Sequence, residues 1–142
     1  ENRLVASDDT SNYKIVKRND FAFNPARINV GSIARLTTFE RGIVSPMYIC
    51  FRTKDILLPE YLDYYFKSKQ FSTEIQKRLE GSVRQCLSFD GLCNIPLSVP
   101  AIEIQQQIGK RLSALVQEIN LEIDFLELLQ KQKKFLLYQM FI

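Results

Sequence analysis

The sequence predicts a mixed α/β (α+β) fold: a small mixed sheet with short helices, then a long C-terminal helix that forms an antiparallel coiled coil with a partner helix. Three observations predict it. Residues 13–51 are rich in Val, Ile, Thr, Tyr and Phe and are divided by turn residues, as short strands are. Apolar residues fall at helical spacing after Pro59. From residue 101 to 142 there is no proline, and apolar residues recur at alternating steps of three and four.

The first strands are predicted to be short. Residues 13–16 and 21–23 are separated by a polar turn, and Asn24–Pro25 ends the second of them. Residues 1–12 are polar and without periodicity, which predicts a loop. We expect the first strands of this domain to lie upstream of that loop.

Two longer strands are predicted to form a hairpin. Residues 33–39 and 43–51 flank Glu40–Gly42, which has the composition of a hairpin turn. Ser45–Pro46 is predicted to break or bulge the second strand, because proline cannot donate a ladder hydrogen bond. The segment before the hairpin contains turn residues at Asn29 and Gly31.

Helical spacing begins at Pro59 and continues to residue 79, as one helix or as two abutting helices broken near Ser68. Residues 87–93 predict short irregular or strand structure with a turn at Asp90–Gly91. The two prolines of residues 94–100 predict an extended strand at the edge of a sheet.

Residues 101–142 are predicted to form one helix of about 60 Å. Its apolar seam is made of positions at alternating steps of four and three: Ile108, Leu112, Leu115, Ile119, Leu126, Leu129, Leu136 and Met140. Glu122 and Lys133 interrupt this seam. Because other apolar residues widen it, the preceding residues can cover only part of it. Two copies are therefore expected to pair antiparallel, with Glu122 of one near Lys131 or Lys133 of the other. The alternative is an ordinary core helix.

The composition argues against several chemistries. The chain contains no histidine, which removes His-based catalysis and His-ligated metal. Neither a P-loop nor a dinucleotide-binding glycine motif occurs. Cys50, Cys86 and Cys93 lack zinc-site spacing, and reduced thiols in a cytoplasmic protein are their simplest explanation. No apolar run reaches the roughly 18 residues of a membrane span. We therefore expect no cofactor, no metal, no catalytic residue and no membrane partner.

Positive charge is concentrated in residues 14–54, which carry eight bases against two acids, a net charge of +6. Such a block suits a polyanion. Guanidinium, amide and hydroxyl groups in or beside turns suit duplex DNA, because they grip phosphates and base edges. The candidate DNA-binding residues are Arg27, Asn29, Ser32, Arg35 and Arg41, with Arg84 and Gln85 in a second loop. The alternative for each is an exposed surface residue or an arginine that ties a loop to the backbone.

An ordered series of segments carries a family resemblance. The segments are Tyr13–Pro25, Arg27–Ile33, Gly42–Tyr48, Leu58–Leu62 with Tyr65, Phe66 and Phe71, Gly81–Gln85, Ile95–Ile108 and Lys133–Phe141. In this order they resemble the DNA-specificity (S) subunit of Type I restriction-modification enzymes. One departure is Ala101-Ile-Glu-Ile-Gln, where the family usually has Pro-x-x-Glu-Gln, so that Ile104 stands in the acidic position.

The resemblance implies a target recognition domain over residues 1–100, lacking its first strands, and a spacer or dimerisation helix over residues 101–142. It implies a non-catalytic subunit that reads one half of a split DNA site. Modification (methyltransferase) and restriction subunits would supply the chemistry, and a homodimer would form through the C-terminal helix. The alternative function is a coiled-coil dimeric scaffold or adaptor whose globular part binds only protein. Salt dependence of duplex binding would discriminate the two.

Overall fold

Five short strands, four helices and one 3₁₀ turn follow one another along the residues described by the structure, a computed structural model that covers residues 9–79 and 86–141. The elements are β1 (Lys14–Lys17), β2 (Phe21–Phe23), the 3₁₀ turn (Ile28–Val30), β3 (Ile33–Arg35), β4 (Arg41–Val44), β5 (Ile49–Phe51), α1 (Pro59–Phe66), α2 (Lys69–Arg78), α3 (Phe89–Cys93) and α4 (Ile102–Met140). This order confirms the mixed α/β class with a long helix at its C-terminal end.

The described strands form two small antiparallel sheets. β1 pairs with β4, with Lys14 opposite Val44 and Lys17 opposite Arg41. β2 lies at the centre of the second sheet, between β3 and β5. Its Phe21 stands opposite both Arg35 and Phe51.

The predicted hairpin around Glu40–Gly42 is wrong. Leu36 instead bonds to the turn after β1: its N–H donates to the Asp20 carbonyl across 2.9 Å, and its carbonyl accepts from the Asn19 N–H across 2.8 Å. These bonds end β3 early and bring β4 beside β1 rather than beside β3. The predicted break at Ser45–Pro46 is confirmed, since β4 and β5 are separate strands of different sheets.

The helical region divides at Ser68, which confirms the two-helix alternative. The Ser68 hydroxyl accepts a hydrogen bond from the Phe71 N–H across 3.1 Å and so caps α2. Ser88 caps α3 in the same way, accepting from the Gly91 N–H across 3.0 Å. The turn predicted at residues 90–91 is therefore wrong, because the cap starts a short helix there.

The edge strand predicted at residues 94–100 is also wrong, since this segment belongs to neither described sheet. Its carbonyl groups bond instead to tyrosines of α1. The Tyr65 hydroxyl donates to the Pro96 carbonyl and the Tyr61 hydroxyl to the Ser98 carbonyl, each across 3.0 Å. The two prolines lack donors for a ladder, so these side chains take the place of a strand partner.

An apolar core among the described residues fixes the β3-β2-β5 sheet against the short helices. Its buried members are Phe23, Ile28, Phe71, Ile75, Leu87, Leu92 and Ile95. Aromatic pairs extend this core: Phe21 stacks on Phe51 with ring centroids 5.2 Å apart, and Phe66 lies 4.7 Å from Phe71. The turn that carries Arg27, Asn29 and Ser32 is therefore attached to this core through Ile28.

Candidate nucleic-acid interface and unpaired helix

The turn from Arg27 to Ser32 is closed by its own backbone. The Ser32 N–H donates to the Arg27 carbonyl across 3.1 Å, and the Gly31 N–H donates to the Ile28 carbonyl across 3.0 Å. Gly31 has a φ of +84°, a left-handed conformation that favours glycine. Ile28 is buried in the core, whereas Arg27 and Asn29 are exposed. The turn thus holds a guanidinium and an amide at the surface of a fixed loop.

Arg35 faces α1 rather than solvent. Its side chain is 16% exposed, and its Nη2 lies 3.8 Å from a carboxylate oxygen of Asp63. Its Nη1 donates to the Asn19 side-chain oxygen across 3.3 Å. The Nε of Arg35 is buried without a partner in the described part of the chain. Arg35 therefore joins β3 to α1 through side-chain contacts, which is neither an exposed surface position nor a bond from a loop to the backbone.

Arg41 opens β4 in the other sheet, directly opposite Lys17, and its side chain is exposed. The structure thus brings Arg27, Asn29 and Ser32 together in one turn, and holds Arg41 and Arg35 elsewhere. Arg84 and Gln85 lie outside the described residues.

The acids inside the basic block are already engaged. Glu40 pairs with Arg18 and Asp20 with Arg52, each across 2.6 Å. Five bases of residues 14–54 have no acidic partner within residues 9–79 and 86–141: Lys14, Lys17, Arg27, Arg41 and Lys54. The positive charge predicted from the sequence is therefore only partly compensated by the fold.

Asp20 is held in its charged form. Partial burial raises the pKa of Asp20, but hydrogen bonds from the Arg52 side chain and the Lys17 N–H lower it more, so that its pKa lies below the usual 3.8. The ion pair with Arg52 is thus maintained at neutral pH, and the nearby charge of Lys17 also contributes to lowering the pKa of Asp20.

A polar contact that apolar periodicity did not indicate attaches α4 to the domain. The Gln105 side chain is 1% exposed. Its oxygen accepts from the Leu58 N–H across 2.9 Å, and its nitrogen donates to the carbonyls of Ile56 and Pro100 across 2.9 and 2.7 Å. Gln105 lies in the segment Ile95–Ile108, which carries part of the family resemblance. That resemblance was the one feature of the sequence that drew attention to this residue.

Gly109 and Ser113 follow Gln105 on the face of α4 that contacts α1. The Ser113 hydroxyl donates to Glu60 across 2.7 Å. Tyr64 therefore donates to the Ser113 oxygen across 2.8 Å, because the single hydroxyl proton of Ser113 is already used. Gly109 lies against Glu60, where an added Cβ would meet the carboxylate carbon at 3.3 Å. α1 and α4 thus meet at a polar seam that gives α4 a defined direction.

Beyond this seam α4 has no covering in the described structure. Ile108 and Leu112 are half-buried, but every side chain of residues 114–141 is exposed. Leu115 and Leu126 of the predicted heptad seam are each 54% exposed. The helix has 39 residues, which at 1.5 Å each is about 58 Å. Its apolar face is too large to be typical of a solvated surface.

The described residues contain no group of three or more His, Cys, Asp or Glu side chains placed to hold a metal ion. Within the same part of the chain, no helix has the length and hydropathy needed to cross a membrane.

An α/β domain with uncompensated cations has the electrostatic features of a nucleic-acid-binding domain. Residues 5–134 match the family described as Type I restriction modification DNA specificity domain. The chain belongs to this family, and the resemblance seen in the sequence is confirmed.

The fold is similar to that of the crystal structure of the HsdS subunit from Thermoanaerobacter tengcongensis, with a TM-score of 0.63 and 20% identity. The match covers 75% of this chain and 28% of that subunit, so the chain corresponds to a minor part of its length. At this identity the likeness concerns the fold alone. Among curated proteins, none matches the chain significantly.

Proposed function

We propose that this chain acts within the DNA specificity subunit of a Type I restriction-modification complex and reads one half of a split DNA site. The observation that carries the proposal is the match of residues 5–134 to the specificity-domain family. Residues 1–100 form the target recognition domain, and residues 101–142 form the spacer and dimerisation helix. The chain carries out no catalysis itself. It directs methyltransferase and restriction subunits to their site on DNA in the cytoplasm.

The turn of Arg27, Asn29 and Ser32 is the part of the surface best suited to base recognition. Arginine can make two hydrogen bonds to guanine, asparagine can do the same with adenine, and a hydroxyl group can bond to either. The closed backbone of the turn limits the conformational entropy lost on binding. Arg84 and Gln85 are proposed as a second contact on the same duplex.

The long helix supplies the second half of the assembly. Two copies of α4 that pair antiparallel would bury the seam from Leu115 to Met140 and carry a recognition domain at each end. Glu122 of one copy would approach Lys131 or Lys133 of the other, which would help to fix the register. The polar seam with α1 supports this arrangement, since it aims the helix away from the domain.

Mapping of methylated sites tests this function. The intact subunit and its methyltransferase are expressed together in cells, and modified bases are located in genomic DNA. We expect methylation at one bipartite sequence. Because both copies of the pair would carry the exchange, we expect both halves of that sequence to change when residues 13–100 are exchanged for those of a relative. An unchanged sequence after the exchange would contradict the proposal. The scaffold alternative predicts, in addition, no salt-dependent affinity for duplex DNA.

A further inference from the structure

The β1–β4 ribbon has one face toward the protein and one toward solvent. Because side chains alternate along a strand, Val16 and Gly42 share the inner face. Val16 is buried, and a Cβ added at Gly42 would lie 3.7 Å from the Leu36 side chain. The outer face, called here the ribbon face, consists of two cross-strand pairs, Ile15 with Ile43 and Lys17 with Arg41.

Neither pair of the ribbon face stabilises the fold in its exposed position. Ile15 is 64% and Ile43 is 53% exposed. Lys17 and Arg41 are like charges directly opposite each other, with Cβ atoms about 5 Å apart in such a pair, which is destabilising. A bound anion between or beside the two cations would remove that repulsion.

The neighbouring acids compensate this charge only in part, because each of them forms its ion pair with another arginine. Glu40 precedes Arg41 but pairs with Arg18. Asp20 accepts from the Lys17 N–H across 2.8 Å, but its other oxygen binds Arg52 across 2.6 Å. Around the ribbon face four cations therefore stand against two acids: Lys17, Arg18, Arg41 and Arg52 against Asp20 and Glu40. The two charges in excess correspond to the two cations of the ribbon face.

We propose that the ribbon face binds the phosphodiester backbone of duplex DNA, with Lys17 and Arg41 on phosphate oxygens and Ile15 and Ile43 against deoxyribose. This inference rests on the proposed function, which brings a duplex to this domain. The chemistry favours phosphate, because arginine grips it with two hydrogen bonds and lysine adds a mobile point charge. Backbone contacts position a protein on DNA without reading sequence. The ribbon face therefore contributes affinity and register, and base readout belongs to other residues.

The test compares duplex binding by the intact subunit in complex with its methyltransferase, before and after the double substitution Lys17→Gln with Arg41→Gln. The probe is a random-sequence duplex of about 30 base pairs, titrated at several salt concentrations. Loss of two phosphate contacts should reduce the slope of log affinity against log salt by about 1.8, and affinity roughly thirtyfold near 0.15 M salt. The mapped methylation sequence should stay the same.

Two controls separate this effect from net charge and from folding. Lys69→Gln with Lys110→Gln removes the same charge from exposed lysines outside the ribbon face and should leave the slope near wild type. The exchange Lys17→Arg with Arg41→Lys keeps both charges and should retain the slope. An equal loss in the Lys69 and Lys110 variant would overturn the inference.

The remaining outcomes are also distinct. If the wild-type complex binds the duplex in a salt-dependent way and Lys17→Gln with Arg41→Gln leaves the slope unchanged, the ribbon face is not a phosphate site, and the proposed function stands. If the variant loses the methyltransferase but keeps its duplex affinity, the ribbon face binds an acidic protein segment, and the inference is overturned. If the wild-type complex has no duplex affinity, the proposed function and this inference both fail.

Discussion

The backbone N–H of Leu58 donates a hydrogen bond to the side-chain oxygen of Gln105 across 2.9 Å, which joins the residue before α1 to the first turn of α4. The nitrogen of the same side chain bonds to two further backbone carbonyls. One buried amide thus satisfies three backbone groups where a loop, a helix start and the long helix meet. These three hydrogen bonds form only when α4 has one orientation relative to the loop before α1. They therefore fix the direction in which α4 leaves the domain.

Gln105→Leu should destabilise the chain by about 1–3 kcal/mol, since leucine fills a similar volume but removes all three hydrogen bonds from partly buried backbone groups. The urea midpoint of unfolding, followed by circular dichroism, measures the loss. Gln107→Leu is the matched control, because Gln107 is exposed on the same helix and has no side-chain hydrogen bond within the described residues. Equal midpoints for the two variants would show that the Gln105 contacts contribute nothing to stability.

Acid should destabilise the fold in part through Asp20. Its pKa in the folded chain lies below the usual 3.8 because of Arg52 and the Lys17 N–H. A lowered folded-state pKa means that this contribution is complete above about pH 4 and is lost as the pH falls through the folded pKa. Asp20→Asn should therefore lower stability at pH 7 and make the decline below pH 4 shallower.

Urea unfolding at a series of pH values checks the Asp20 prediction. Asp55→Asn serves as its control, since Asp55 is exposed and forms no ion pair in the described part of the chain. A profile for Asp20→Asn that runs parallel to the wild type through the acid range would contradict the assignment.

Local signals predicted the elements well, and non-local bonds explain the errors. Pro59, the break near Ser68 and the heptad spacing of α4 are local features, and each of these elements is found. Strand pairing is different, because the bonds between Leu36 and the turn after β1 join residues that are distant in sequence. No pattern within residues 33–51 reveals them.

The candidate site was predictable in chemistry but not in placement. Basic and amide residues in a turn could be identified from the sequence, and Arg27 and Asn29 are exposed. Arg35 has the same chemistry, yet Asp63 on α1 holds it, and that contact depends on packing. Gln105 was missed for a related reason: a search for apolar periodicity passes over a polar residue that faces the domain.

Pairing of α4 should make the chain a dimer. At tens of micromolar, a concentration suited to micromolar affinities, light scattering should give about twice the chain mass of 16.6 kDa. Leu126→Asp should shift the mass to that of a monomer, because it puts a charge into the apolar seam. Gln117→Asp is the control, since this exposed residue lies on the face opposite the seam. A monomeric wild type, or an unchanged mass for Leu126→Asp, would contradict the pairing.

The last prediction separates two arginines with the same chemistry. Arg27→Ala should leave stability within about 0.5 kcal/mol, because Arg27 is exposed and has no ion pair in the described part of the chain. Arg35→Ala should lower stability by about 1–2 kcal/mol, since Asn19 loses a charged hydrogen-bond donor and Asp63 loses an ion-pair partner. Urea midpoints measure this difference.

For DNA affinity the order of the two variants should be the reverse: Arg27→Ala should have the larger effect. If Arg27 contacts a base, Arg27→Ala should cost roughly 1–3 kcal/mol in affinity and relax one position of the methylated sequence. If Arg27 contacts a phosphate, all duplexes should weaken alike, and the methylated sequence should stay the same. For Arg35→Ala, affinity measured on the folded fraction should be unchanged, because this side chain is turned toward α1. Should Arg27→Ala leave both the affinity and the methylation pattern of the intact subunit unchanged, the assignment of this turn to DNA is wrong.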